Sequence, residues 1–223
     1  AMLEGDSTPR EAPEAAGAAA GQHGFRILSE TRAYNRYIQV EHRRVAYPDG
    51  REVDFDIVGH PKNSFHFVVV FAFDSASRTI TVIREFAQAA LPHSAVVLGL
   101  PCGGFDGGKH TSRLHAAQCE LSEEAQLTGG TWHSLLPEAH PGILEGKWSR
   151  NRFTPFLCID PVPDKTPGEK DAEEHISAQQ LSVEEVRQAC LAGDMLLPSM
   201  QACVSAFAWL ESCHKIEHTQ HVL

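Results

Sequence analysis

Residues 100–130, LPCGGFDGGKHTSRLHAAQCELSEEAQLTGG, narrow the possible folds more than any other part of the chain. A short apolar run, Val96 to Leu100, meets the turn Pro101-Cys102-Gly103-Gly104. A helical pattern follows over roughly Ser112 to Leu127 and is closed by Gly129-Gly130. A strand that passes through glycines into a helix lets backbone groups approach a phosphate closely, because glycine has no Cβ to hold it off. Along the helix Leu114, Ala117, Leu121 and Ala125 recur at three- and four-residue steps and are expected to form the core stripe. At about 100° per residue, Glu120 and Glu124 fall within about 40° of each other with Glu123 beside them, and Leu114, Leu121 and Ala125 point to the opposite side. Carboxylates gathered in this way repel unless a positive charge sits between them. A hard divalent cation with oxygen ligands answers that need, and Mg²⁺ is the usual one beside phosphates. Taken alone, ELSEEA also describes a solvated acidic helix face; the Gly-rich turn before it favours the metal.

The flanking sequence reads as strands before this segment and a mixture of strands and helices after it. Tyr37 to Tyr47 and Val53 to Val58 alternate as strands around Pro48-Asp49-Gly50, where proline fixes φ and glycine accepts a positive one. A stronger hairpin, Phe65 to Phe73 and Thr79 to Phe86, turns at Asp74-Ser75-Ala76-Ser77. Downstream, Arg152 to Ile159 reads as a buried strand and His175 to Leu181 as a shorter one. Ser182-Val183-Glu184-Glu185 starts a helix with a capping box, and that helix ends near Gly193. A last helix, about Ser199 to Ser212, is expected to bury Met200, Cys203, Val204, Phe207 and Leu210. This order suggests an α+β fold arranged as an α/β/α sandwich. Residues 1–24, rich in Ala, Gly, Pro and Glu and without apolar periodicity, are expected to be a disordered arm, and they lack the basic and apolar regions of a secretory signal. Residues 213–223 are expected to be a flexible tail.

Composition bears on partners. The formal net charge is −10 over 223 residues, and no clustered basic stripe marks a nucleic-acid surface. The longest apolar stretch, Phe65 to Phe73, is far too short to cross a bilayer, so a soluble, cytoplasmic protein is expected. Six cysteines without a CxxC pair fit free thiols in a reducing compartment better than a disulfide framework. Thirteen histidines show no zinc-ligand spacing. Neither Cys102 nor Cys119 has a histidine positioned as a partner in sequence, which disfavours nucleophilic cysteine catalysis.

The 100–130 segment resembles the Nudix box: Gly, five residues, Glu, seven residues, then Arg-Glu-aliphatic-x-Glu-Glu-x-Gly-aliphatic. Glu120, Leu121, Glu123, Glu124 and Leu127 match its second half, and Gly103 its opening. Cys119 stands where the motif has Arg and Gln126 where it has Gly. The early Glu falls on Lys109, or on Thr111 when counted back from the helix, and the span from Gly103 to Cys119 is two residues longer than the pattern. The resemblance extends over roughly residues 25–212, where two hairpins, LP-x-GG, the helix, a strand, EEHIS and a terminal helix pair look like the ADP-ribose pyrophosphatase branch.

That likeness implies a Nudix fold with a mixed sheet, preceded by an antiparallel strand subdomain over residues 25–60 that helps form a homodimer. It implies Mg²⁺-dependent, or Mn²⁺-dependent, hydrolysis of the pyrophosphate of ADP-ribose or another nucleoside-diphosphate sugar, a small-molecule nucleotide substrate. By the same likeness Glu120 and Glu124 are metal ligands, Glu123 is a third ligand or catalytic partner, and the Cys102 carbonyl completes the site. Glu174, in PGEKDAEEHI, is the candidate base. Gly103 and Gly104 would face the phosphates. Arg84 of VIREF is the nearest substitute for an arginine that the family carries at the position of Ala87. Arg150 and Arg152, in WSRNRF, could clamp phosphates bidentately or serve as surface charges. The missing Arg and early Glu leave a second reading open: a catalytically silent Nudix domain that binds a nucleotide or a protein.

Overall fold

The computed structural model describes residues 22–169 and 175–216. Its contacts divide the chain into two compact units, one ending at Gly59 and the other beginning at His60. In the first, β1 (Arg26–Asn35), β2 (Gln39–Ala46) and β3 (Glu52–Gly59) form an antiparallel meander in that order. The turn between β2 and β3 closes where the Pro-Asp-Gly triplet placed it. Gly50 has φ 86° and donates its N–H to the Tyr47 carbonyl at 3.0 Å.

The second unit is built on β4 (His66–Asp74) and β5 (Thr79–Phe86). The Asp74 carboxylate caps their turn by accepting from Ser77 N–H at 2.7 Å. There follow β6 (Val96–Gly99), β7 (Cys102–Gly104), α1 (Arg113–Ala125), β8 (Leu127–Thr128), β9 (Thr131–Ser134), β10 (Ile143–Leu144), β11 (Arg152–Ile159), β12 (Val162–Pro163), β13 (Ile176–Ser182), α2 (Val183–Ala192) and α3 (Leu197–Ser212). The sheet runs β10-β11-β4-β5-β13, with β6 on β5, β7 on β4 and β9 on β11. It is mixed: β4 and β11 are parallel from His66↔Arg152 to Phe73↔Ile159, and the other pairings are antiparallel.

Both faces of the central strands are buried, so β4 and β11 read as continuous apolar runs rather than alternating ones. Val68, Val70, Ala72, Phe156 and Cys158 meet Ala116, Ala117 and Leu121 of α1. On the opposite face Val69, Phe71, Phe73, Ile80 and Val82 pack with Val186 of α2 and Ala202, Cys203, Ala206 and Leu210 of α3. The result is the α/β/α sandwich that the element order suggested. All six cysteines are free.

Three expectations need correction. Helix α1 ends at Gln126, in the left-handed region at φ 56° and ψ 38°, and not at Gly129-Gly130, which turn between β8 and β9. In α3 the small residues Ser199, Ala202 and Ala206 face the core with Cys203 and Leu210, while Val204 is 66% exposed. Small side chains let this helix lie close to the sheet, and a pattern based on bulk alone selects the wrong edge. Packing also continues past Ser212, because Ile216 is buried in the core beneath α3. The expected arm falls almost wholly on residues outside the described ones.

Candidate active site

Strand β7 and helix α1 build the site between them. Pairing of Val69↔Cys102, Val68↔Gly103 and Phe67↔Gly104 fixes β7 to β4. Ser112 starts α1 by accepting the His115 N–H at 3.0 Å, which satisfies one of the open donors of the first turn. The buried stripe of α1 is Ala116, Ala117, Leu121 and Glu124, whereas Leu114 is 36% exposed. The stripe therefore sits about one residue away from the one that bulk predicts, and it includes a carboxylate.

Glu124 is 2% exposed, and one of its oxygens accepts the Cys102 N–H at 2.8 Å. A buried carboxylate is costly unless hydrogen-bonded and charge-balanced. Glu120 reaches the same strand. A Cβ built on Gly103 would lie 2.0 Å from Glu120 Oε1 and 2.3 Å from Oε2, so the carboxylate lies flat over the glycine Cα. Gly104 is covered in the same way by the Asn63 side chain, whose Nδ2 would be 2.1 Å from an added Cβ. The two glycines thus make room for side chains.

Glu123 turns another way. Its Cγ would be 2.4 Å from a Cβ on Gly168. Ser122 beside it donates to Asp164 at 2.7 Å and accepts the Gly168 N–H at 3.1 Å. The end of α1 therefore anchors residues 164–168, which precede Glu173 and Glu174, two residues outside the described ones. Where the described residues resume, the His175 carbonyl accepts the Phe86 N–H at 3.1 Å.

Among the described residues no three His, Cys, Asp or Glu side chains converge closely enough to hold one ion. Glu120 and Glu124 do converge on the Cys102–Gly103 backbone. An oxygen-only set of one or two carboxylates suits Mg²⁺, which keeps several waters and takes further oxygens from substrate phosphates. Burial first, then the Glu123 and Glu120 charges, push the Cys119 thiol up, which leaves it a poor nucleophile.

The arginines are spread out. Arg84 is exposed on β5, where alternation puts it on the side of Ile80 and Val82, the face covered by α2 and α3, while α1 covers the other. Arg150 stacks on Phe65 at 4.2 Å. Arg152 donates to the Gly142 carbonyl at 2.9 Å. A basic position, Arg113, and an aromatic one, Trp132, carry no signal in the sequence that marks them. Arg113 sits among polar residues at a helix start, and Trp132 lies in a strand of four residues that is too short to show a period.

No protein-family model matches the chain, and no curated protein matches it. Among solved structures the chain is similar to one described as an ADP compounds hydrolase, with a TM-score of 0.67 and 18% identity over 85% of this chain and 96% of that one. A NUDIX hydrolase from Nitrosomonas europaea scores 0.44 at 17% identity, covering 65% of this chain and 88% of its own. A structure from work on MutT of Aliivibrio salmonicida and Vibrio cholerae scores 0.38 at 17% identity, covering 55% and 83%. The first shows the fold: the chain has the Nudix fold, a mixed sheet with helices and a three-stranded antiparallel sheet at its N-terminal side.

Proposed function

We propose that the chain is a pyrophosphohydrolase that cleaves the diphosphate of ADP-ribose or another nucleoside-diphosphate sugar. The observation that carries this reading is the convergence of Glu120 and buried Glu124 on the Cys102–Gly103 backbone. Glu120, Glu124 and the Cys102 carbonyl would hold Mg²⁺ or Mn²⁺, with Glu123 as a third carboxylate. The bound cation would neutralise charge developing on the phosphate oxygens and acidify a water.

The chain's own part is positioning and proton transfer. Water oxygen bonds to one phosphorus, the bridging P–O bond breaks towards the second phosphate, and the proton lost by the water goes to a carboxylate base. Glu174 is the proposed base because the residues that precede it, 164–168, are anchored on α1 beside Glu123. Arg84, Arg150 and Arg152 are proposed to contact phosphate or the attached groups. A cytoplasmic setting is proposed with the substrate class; no helix among the described residues is long and apolar enough to cross a membrane.

A homodimer is proposed through the three-stranded sheet. Strand β1 is exposed along its whole length, and Ile27, Leu28 and Tyr34 on it are each at least 37% exposed. An uncovered edge strand with apolar side chains favours pairing with another chain.

Turnover of a panel of nucleoside-diphosphate sugars, dinucleotides and nucleotide cofactors, with and without Mg²⁺, tests the reading. Metal-dependent release of nucleoside monophosphate is expected from the parent and is lost in Glu120→Gln and Glu124→Gln. A silent binding domain is the second reading, favoured by Cys119 standing where the box has Arg and by the missing early Glu. It gains ground if nucleotides bind and none is turned over.

A further inference from the structure

A cavity of about 750 Å³ opens between the first turn of α1, strands β9 and β11, and the loop from Leu136 to Pro141. Small-molecule sites span roughly 300–1,000 Å³ and combine an apolar lining with a few placed polar groups. One wall here is aromatic. Trp132 and Phe156 meet edge to face with centroids 6.5 Å apart, and the indole N–H is tied to the Gly129 carbonyl at 2.8 Å, which fixes the ring.

Another part of the lining is cationic. Arg113, the first residue of α1, contributes a guanidinium whose hydrogen bond to the His140 carbonyl is long, at 3.4 Å, and which has no ion pair among the described residues. Glu138 also lines the cavity, but it is exposed and pairs with no described cation. The positive end of the α1 dipole adds to the charge of Arg113. A third sign of this field comes from His66. Thr154 lines the cavity and bonds buried His66 at 2.9 Å. Burial first, then Arg113 and Arg152, pull the His66 imidazole down to about 4.

We propose that this cavity binds a planar aromatic ring carrying an anionic group, of the kind a nucleoside monophosphate presents, with the ring on Trp132 and the anion on Arg113. The site is distinct from the carboxylate centre. None of Glu120, Glu123 and Glu124 lines it, and seven residues of helix place Glu120 about 10 Å further along α1 than Arg113. An arginine fits the role because its planar fork matches a phosphate with two parallel donors. Binding here requires neither hydrolysis nor metal.

The test is titration of AMP into the metal-free full chain, followed by calorimetry and by saturation-transfer NMR of the adenine protons. Saturable binding is expected. Adenosine, which lacks the anion, and ribose 5-phosphate, which lacks the ring, should each bind at least about tenfold more weakly, as should AMP to Arg113→Gln and Trp132→Leu. Glu120→Gln should bind AMP as the parent does, which separates this site from the carboxylate centre whatever the turnover assays show. Equal affinity of parent and Arg113→Gln for AMP would overturn the proposal, provided the variant melts as the parent does. So would inorganic phosphate competing as well as AMP, or AMP binding lost in Glu120→Gln and kept in Arg113→Gln.

Discussion

Gln126 occupies a left-handed backbone position that a side chain with a Cβ adopts at a cost. Its own side chain is exposed, so little packing is lost by removing it. Gln126→Gly should raise stability by about 0.5–1 kcal/mol, partly offset by the greater freedom of glycine in the unfolded chain, and a shift in the urea midpoint would show it. No change, or a loss, would mean that the side chain holds something its exposure does not reveal. His66 poses a question of sign. Its folded imidazole titrates near 4, below the ordinary 6.5, so the unfolded chain takes the proton first. The stability it contributes is intact above pH 6.5 and is lost as pH falls from there towards 4. His66→Gln should flatten that part of the curve, measured as urea midpoints at several pH values. An unchanged acid slope would place the titrating group elsewhere.

At the scale of elements, the hairpin of β4 and β5 and the buried strand β11 were legible because their apolar runs end at turn residues with a defined backbone preference. Strand β1 was not. It is exposed throughout and exists by pairing with β2, so no burial period marks it. Helix α1 was placed well from its apolar recurrence and Gly-rich entry, yet its buried face was misjudged. Glu124 faces inward to the Cys102 N–H, and no rule of bulk puts a carboxylate there. The carboxylates were legible as a group; that Glu123 turns to Gly168 was not, since this depends on a loop folding back on the helix. The close approach at Gly103 gives a prediction at this scale. A Cβ there meets the Glu120 carboxylate, the mobile end of a side chain, so Gly103→Ala should fold and leave β7 on β4. It should displace Glu120 and lower metal-dependent turnover by about tenfold or more, as expected for loss of a charge-assisted contact. Parent-like turnover would show that Glu120 need not lie over residue 103.

At the scale of the molecule, the order of strands and helices pointed to the sandwich, and the likeness to a solved ADP compounds hydrolase bears out the fold. The cavity beside Arg113 was illegible because its walls come from segments as far apart as residues 113, 132 and 154. Acidic helix faces are common, so what separates a catalytic centre from a plain one is the response to metal. Mg²⁺ that binds the folded state should raise the melting temperature, by about 2.7 kcal/mol of stability at a hundredfold excess over its dissociation constant. Glu120→Gln and Glu124→Gln should remove that rise and, in chelator, be neutral or slightly stabilising because repulsion is relieved. The most direct measurement combines this with chemistry: ADP-ribose and related diphosphates incubated with the full chain, with Mg²⁺ or with chelator, and the products resolved. The account predicts nucleoside monophosphate with Mg²⁺, none with chelator, and none from Glu120→Gln or Glu124→Gln. No turnover across the panel with either Mg²⁺ or Mn²⁺, or turnover that persists in both variants, would contradict it.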